Sequence, residues 1–352
     1  MSQQPTLSVV FPNYNHARFL PESLGAILAQ SYRPAEIIII DDASKDNSVE
    51  VIEGFACQEP RLRLIRNKRN MGVEYNINRL IEMASGDYIF LSAADDKVLP
   101  GFFEKSMKLL AQYPQAGLCS AVVRLIGENG EDRGIRAMPV ISNKPCFFSP
   151  EEVRHRLCKY GRWITISSMI MRRDAVIQEG GQHLELGSFA DTFLALLVSL
   201  RHGACFIPEP LGCWRQMDSG HGSELASDWE GLSEVGMLAS RLMRNEYRDL
   251  FPTDYVDRFE RHWMYMVGVT AGKRAHIGLE QALSQGFEKL CPKPSFVDRA
   301  FWSGMRLFIW AQARAWQIYS MAKFGPWRWW ILGRLSILVN LRKLVIFEKL
   351  DT

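Results

Sequence analysis

Four short apolar runs, separated by helical periodicities, constrain this chain more than any other feature. Leu7 to Phe11 reads LSVVF, and Ile37 to Ile40 is an unbroken β-branched run. Leu62 and Leu64 mark a third segment, and Tyr88 to Leu91 is a fourth. A continuous run such as Ile37 to Ile40 is most simply a parallel strand buried on both faces. Between the runs lie three helical stripes. Pro21 and Glu22 suit a first turn ahead of Leu24, Ile27 and Leu28. Val49, Ile52 and Ala56 form a second stripe, and Val73, Ile77, Leu80, Ile81 and Ala84 form a third. The β-α-β-α-β-α-β order predicts an α/β domain whose open, mostly parallel, twisted sheet carries helices on both faces.

Ligands of such sheets bind beyond the carboxyl ends of the strands. Three polar clusters fall there: PNYN after the first strand, DDASKD after the second and AADD after the fourth. The coincidence predicts one shared cradle. In the last cluster Asp95 and Asp96 are adjacent carboxylates, which repel each other and lose solvation when buried. A solvated turn that caps the helix starting near Pro100 accounts for them. A divalent-metal site accounts for them too, and the stretch alone leaves both open.

The totals narrow the function classes. A chain of 352 residues is long enough for one large domain or two ordinary ones. Its 47% apolar and 23% charged content is ordinary for a soluble globular protein, and a net charge of +3 gives no global case for nucleic acid. Seven scattered cysteines, none in a C-x-x-C pair, argue against a zinc site or disulfide framework and for a reducing compartment. The start, MSQQPTLSVV, lacks the charged and long apolar regions of a signal peptide, and no apolar run reaches the ~18 residues of a membrane span. The expected location is cytoplasmic. A G-x-G-x-x-G after the first strand, a P-loop and a G-x-S-x-G elbow are all missing.

Three stretches in this order and spacing resemble the inverting glycosyltransferases of family 2, which have the GT-A fold. They are LSVVFPNYNHARFLPESLGAILAQSY, EIIIIDDASKDNS and NKRNMGVEYNINRLIEMASGDYIFLSAADDKVLPGF. The resemblance covers roughly residues 5 to 220 and implies a nucleotide-sugar donor, most often a UDP-sugar. It implies nucleotide contacts from Pro12, Tyr14, Asp42, Asn70, Gly72 and Ala94. Tyr14 would be a stacking surface, Asp42 an acceptor for a base N–H, and Asp41 a residue orienting the loop. The last aspartate of the family's D-x-D motif falls on Asp95, which implies Mn²⁺ or Mg²⁺ held between that carboxylate and the donor diphosphate. Asp96 would support it or cap the next helix. The motif's first aspartate is replaced by Ala93, which affects ribose contacts and donor preference.

An inverting transfer needs a carboxylate to take the acceptor hydroxyl's proton. The later segment MRRDAVIQEGGQHLELGSFADTFLALLVSLRHGACFIPEPLGCWRQ resembles the family's base-bearing region and assigns the catalytic aspartate to Asp191. The glutamate usual before it is Ala190 here. An aspartate that opens the apolar helix Phe193 to Leu200 also caps it, and the two roles are compatible. Ser149, Pro150 and Glu152 predict a capping box, and Ile164 to Met171 reads as a strand. Glu209 is read as part of a strand's exit turn. Arg215 is expected against phosphate; His221 reads first as an ordinary loop histidine, with an approach to the metal as the alternative. Trp163 and Trp214 fit either an acceptor subsite or the core. The loop Gly127 to Phe148 is expected to face the acceptor, but its residues carry no chemical signature.

From about Leu225 the strand signals stop, so we expect a catalytic domain over 1–224 and a helical region over 225–352. Leu232 to Met243 and Tyr255 to Val269 read as helices. Residues 300–350 are rich in tryptophan and interrupted by Arg306, Arg314, Lys323, Arg328, Arg334, Arg342 and Lys343. Such a stretch suits a membrane interface, which would place a peripheral enzyme on the cytosolic face with a glycan or lipid-linked acceptor. Packing against the catalytic domain or a second copy is the alternative. A noncatalytic sugar-nucleotide or glycan-binding protein is the rival function, with Ala93 and Ala190 as its evidence.

Overall fold

The computed structural model describes residues 4–217 and 229–274. Its strands are β1 (Leu7–Asn13), β2 (Glu36–Asp41), β3 (Leu62–Arg66), β4 (Tyr88–Leu91), β5 (Lys97–Val98), β6 (Leu118–Ile126), β7 (Asp132–Ile135), β8 (Cys146–Phe148), β9 (Met169–Arg172) and β10 (Ala204–Arg215). The helices are α1 (Leu20–Leu28), α2 (Ser48–Ala56), α3 (Val73–Met83), α4 (Phe102–Gln112), α5 (Pro150–Tyr160), α6 (Arg173–Gln178) and α7 (Ala190–His202). Beyond the gap in the described residues lie α8 (Trp229–Arg244) and α9 (Thr253–Arg274).

The sheet runs β3-β2-β1-β4-β9-β6-β10-β5. Its first four strands are parallel, as the alternating order predicts, whereas β9 pairs antiparallel to both β4 and β6. Side chains in β2 alternate faces, and both faces are dry. Ile37 and Ile39 pack with Leu24 and Ile52 under α1 and α2, while Ile38 and Ile40 pack with Leu80 and Ile81 of α3. All four isoleucines are fully buried, at roughly 1.5–3 kcal/mol each relative to exposure. This two-faced burial is why the run is continuous rather than alternating.

The helix starts follow local chemistry. Ser149 and Glu152 form the predicted capping box on α5. The strand expected over Ile164 to Met171 is shorter: a 3₁₀ turn, Ile166–Ser168, precedes β9. Glu209 lies within β10, at the bulge where its pairing with β6 shifts, rather than in an exit turn.

The chain divides into compact units at Met1–Val267 and Gly268–Thr352. Both helices expected after Leu225 are present. Met243, Tyr247, Phe251, Val256 and Phe259 join the core around Phe193, and Trp263 Nε1 donates to the Leu232 carbonyl at 2.6 Å. The first unit thus extends past the boundary expected near residue 224. Among the described residues no helix is long and apolar enough to cross a membrane. The tryptophan-rich 300–350 segment lies outside the described residues.

Candidate active site

Because β1, β2 and β4 are parallel, their carboxyl ends open on one edge. Backbone bonds stitch that edge: Asp42 N–H donates to Asn13 O at 2.8 Å, and Ser92 N–H to Val10 O at 3.0 Å. Asp41 is buried and accepts from Asn13 Nδ2 at 2.8 Å and from the Ser44 backbone N–H at 3.0 Å. These bonds tie the end of β1 to the loop after β2. Asn15 Oδ1 accepts from Lys45 N–H at 2.7 Å, so the first two loops form one platform. Pro12 closes β1 beneath it, and Tyr14 stands out from it, 38% exposed, with its ring open for stacking.

Asp42 was expected to receive a base N–H. Its buried carboxylate instead accepts from Asn67 Nδ2 at 2.8 Å, Met71 N–H at 2.9 Å and Gly72 N–H at 3.0 Å. Three protein donors occupy it, so it acts as the anchor of the loop after β3. Asn70 supports the same loop by accepting from Gly72 N–H at 3.0 Å. Gly72 has φ 91°, a conformation that favours glycine, and it starts α3.

After β4, Ala93 is exposed and Ala94 buried. Asp95 is half-buried, and no described residue donates a hydrogen bond to its carboxylate. Asp96 is buried and accepts from the Arg215 backbone N–H at 2.8 Å. Burial, and then the neighbouring Asp95 charge, push its carboxyl up to about 7 against the pull of the Ser167 hydroxyl and Arg215. Asp96 does not cap a helix. Gly101, at φ 82°, starts α4, so the capping explanation of the paired aspartates fails for Asp96. Among the described residues no three metal-ligating side chains cluster. One free carboxylate is a donor set that suits a hard cation sharing its remaining positions with substrate oxygens.

Arg215 departs most from expectation. It is buried, and its guanidinium is occupied by the protein. Nε donates to Asp95 O at 2.8 Å, and Nη1 donates to Gly127 O at 3.1 Å and Glu128 O at 3.0 Å. Nη2 pairs with Glu22, and the group lies over Phe19, 4.8 Å from the ring centroid. A phosphate contact is replaced by a structural one: Arg215 clamps the Asp95–Asp96 turn between α1 and the β6–β7 turn. His221 lies outside the described residues.

Asp191 sits in the first turn of α7, half-buried, and accepts from the Thr192 backbone N–H. Burial raises its pKa, while Thr192, Arg162 and Arg136 oppose the rise. Arg162 Nη1 donates to Thr192 Oγ1 at 3.1 Å. Arg136 is within electrostatic reach of both Asp191 and Asp96. Ala190, where the resemblance leads one to expect a glutamate, is buried in the core beside Phe189 and Phe193. Trp163 is core, edge-on to Phe148 and Phe206. Trp214 is 37% exposed and lies under Arg136. Arg136, Arg162 and Ser167 were missed. A lone arginine in the GENGEDRGIRAMP loop has no spacing signature that marks it.

Residues 8–181 match the family model described as glycosyl transferase family 2. The chain is 33% identical over 142 residues to EpsE of Bacillus subtilis, covering 40% of this chain and 51% of EpsE. It is 38% identical over 98 residues to the glycosyltransferase GlyG of Streptococcus pneumoniae, covering 28% of this chain and 33% of GlyG. The chain thus spans about half, or less, of these relatives' length. Among solved structures, S. aureus TarS 1–349 in complex with UDP-GlcNAc superposes with a TM-score of 0.57 at 15% identity, over 85% of this chain and 79% of that one. The mannosyltransferase PcManGT from Pyrobaculum calidifontis, in complex with GDP-Man and Mn²⁺, gives 0.53 at 17%, over 90% and 84%. At such identities the likeness is one of fold.

Proposed function

The chain belongs to glycosyl transferase family 2 through residues 8–181, and on that premise we propose a metal-dependent, inverting sugar transfer from a nucleotide-sugar to an acceptor hydroxyl. One observation carries the reading. A half-buried carboxylate to which no described residue donates a hydrogen bond, Asp95, stands at the sheet's carboxyl edge, and Arg136 lies within electrostatic reach of both its neighbour Asp96 and a second carboxylate, Asp191.

The exposed Tyr14 ring offers the nucleoside a stacking surface, and the anchored loop at Asp42 and Gly72 forms the wall beside it. Asp95 fits a Mn²⁺ or Mg²⁺ ion shared with the donor diphosphate, and such an ion offsets the charge that builds on the leaving group. Asp96, clamped by Arg215, fixes the main chain that carries Asp95. Asp191 takes the proton from the acceptor hydroxyl as its oxygen bonds to the anomeric carbon, and the bond from that carbon to the diphosphate breaks on the opposite face, the diphosphate leaving on the nucleotide. The Thr192 N–H holds one Asp191 oxygen in the first turn of α7.

A UDP-sugar donor, a glycan or lipid-linked acceptor in envelope polysaccharide synthesis, and work at the membrane's cytosolic face complete the proposal. The basic, tryptophan-rich composition of residues 300–350 supports the last element. Calorimetric titration of UDP, GDP and TDP, each with and without Mn²⁺, tests it. Metal-dependent binding of one nucleotide, with the metal dependence lost in Asp95→Asn, is expected. No binding under any condition overturns the donor assignment and favours a noncatalytic protein.

A further inference from the structure

Arg136 is a charged side chain within electrostatic reach of Asp191 that the reaction as described does not use. It follows β7, and its backbone is fixed on both sides: its N–H donates to Val123 O at 2.9 Å and its carbonyl accepts from Met138 N–H at 2.8 Å. The guanidinium lies over the indole of Trp214, 4.4 Å from the ring centroid. The side chain is half-buried, and among the described residues it has no hydrogen-bond or ion-pair partner. Burial, reinforced by the like charge of Arg162, pushes its pKa down to about 10, against the pull of Asp191 and Asp96.

A guanidinium offers five N–H donors in a planar fork. Holding it partly out of water with no acceptor is unfavourable unless a ligand supplies one. The Trp214 ring supports the guanidinium on one side. Arg162 brings a second cation within reach of Asp191. A neutral sugar hydroxyl is a weak partner for a charged fork, whereas a phosphate or carboxylate beside it offers two oxygens.

We propose that Arg136, seated on Trp214 and seconded by Arg162, is an anion subsite that holds a phosphate or carboxylate of the acceptor next to the hydroxyl that Asp191 deprotonates. The fork pairs with two oxygens of the anion, a bidentate geometry that fixes orientation as well as position. The donor diphosphate is the rival source of the same chemistry. The place proposed for it is the Asp95 edge, reached from β1, β2 and β4, whereas Arg136 and Trp214 belong to β7's exit and β10. The inference rests on the reading of Asp191 as the acceptor-side base.

The test uses the full chain and two titrations, with methyl phosphate as the anion probe. The first measures the nucleotide that binds best, with Mn²⁺, to wild type and to Arg136→Gln. The affinities are expected to agree within twofold, which also shows that the variant is folded. The second measures methyl phosphate with that nucleotide and Mn²⁺ saturating. Wild type is expected to bind it, Arg136→Gln to lose tenfold or more, and Arg136→Lys to fall between because it keeps charge without the fork. Trp214→Leu is expected to weaken methyl phosphate while sparing nucleotide. A tenfold loss of nucleotide affinity in Arg136→Gln assigns the arginine to the donor and overturns the proposal. Equal methyl phosphate binding in wild type and variant, or none in wild type, overturns it as well. If no nucleotide binds, the donor reading has failed separately, and the methyl phosphate comparison on the empty protein still decides whether Arg136 holds an anion.

Discussion

Replacing Arg215 with methionine separates a structural clamp from a phosphate ligand. The substitution keeps a long stem against Phe19 but removes every donor. The carbonyls of Asp95, Gly127 and Glu128 lose hydrogen bonds of 2.8, 3.1 and 3.0 Å. At about 1 kcal/mol of net stabilisation each, that is about 3 kcal/mol. Lost stacking of the cation on Phe19 adds about 0.5 kcal/mol. The Glu22 side chain is 40% exposed and keeps its Lys97 partner at 2.6 Å, so its share stays below about 1 kcal/mol. The Arg215 backbone N–H still reaches Asp96, so that bond survives. The expected loss of about 4 kcal/mol is a large fraction of the roughly 5–15 kcal/mol that holds a domain together. With a urea slope of about 3 kcal/mol per molar, the midpoint of unfolding falls by about 1 M. Arg215→Lys, which restores one donor and the charge, is expected to recover only part of this. A midpoint equal to wild type in Arg215→Met, together with a tenfold loss of nucleotide affinity, would place the guanidinium against phosphate and refute the reasoning.

Asp96 makes stability pH-dependent in a defined direction. Its folded pKa of about 7 lies above the ordinary aspartate value near ~3.9. Between those values only the folded state holds the proton, so metal-free wild type gains stability as pH falls from 8 towards 5. Asp96→Asn, which can still accept the Arg215 N–H, is expected to lose that gain in urea titrations at both pH values. Ala43 sits at φ 62° in the turn between Asp41 and Ser44, a region unfavourable for residues other than glycine. Ala43→Gly is expected to raise stability by about 0.5–1 kcal/mol by thermal unfolding. A lower melting point would show that the turn is not strained. Tyr14→Ala is expected to weaken nucleotide binding about tenfold or more by calorimetry, in line with base–aromatic stacking. Unchanged affinity removes Tyr14 from the site.

The parallel half of the fold was legible because its signals are local. Four fully buried isoleucines in a row admit one simple explanation, and the capping box at Ser149 needs only four residues to be recognised. The antiparallel half was less so. The β9 pairings depend on partners far along the chain, and a 3₁₀ turn took over part of an apolar stretch that reads as strand. Among the site residues, Asp95 and Asp191 were proposed through family resemblance, whereas Arg136, which feels the charges of Asp191 and Asp96, carries no local signal. Arg215 was misassigned because an arginine beside a nucleotide site suggests phosphate. Its actual partner, Glu22, is 193 positions away, and no local pattern pairs them. Asp42 was misread for a related reason: its donors come from a loop about thirty residues on.

The central claim is that Asp191 is the base of a sugar transfer whose donor is held elsewhere. Burial raises its pKa, and a base works only when ionised. The wild-type rate is therefore expected to fall on the acid side at a higher pH than an ordinary aspartate allows. The most direct test compares wild type with Asp191→Asn, measuring donor affinity by calorimetry and sugar transfer or donor hydrolysis by turnover. The account predicts donor affinity within twofold of wild type and a rate lower by about 10²–10⁴. Turnover retained in Asp191→Asn would contradict it and move the base to another group in the cleft.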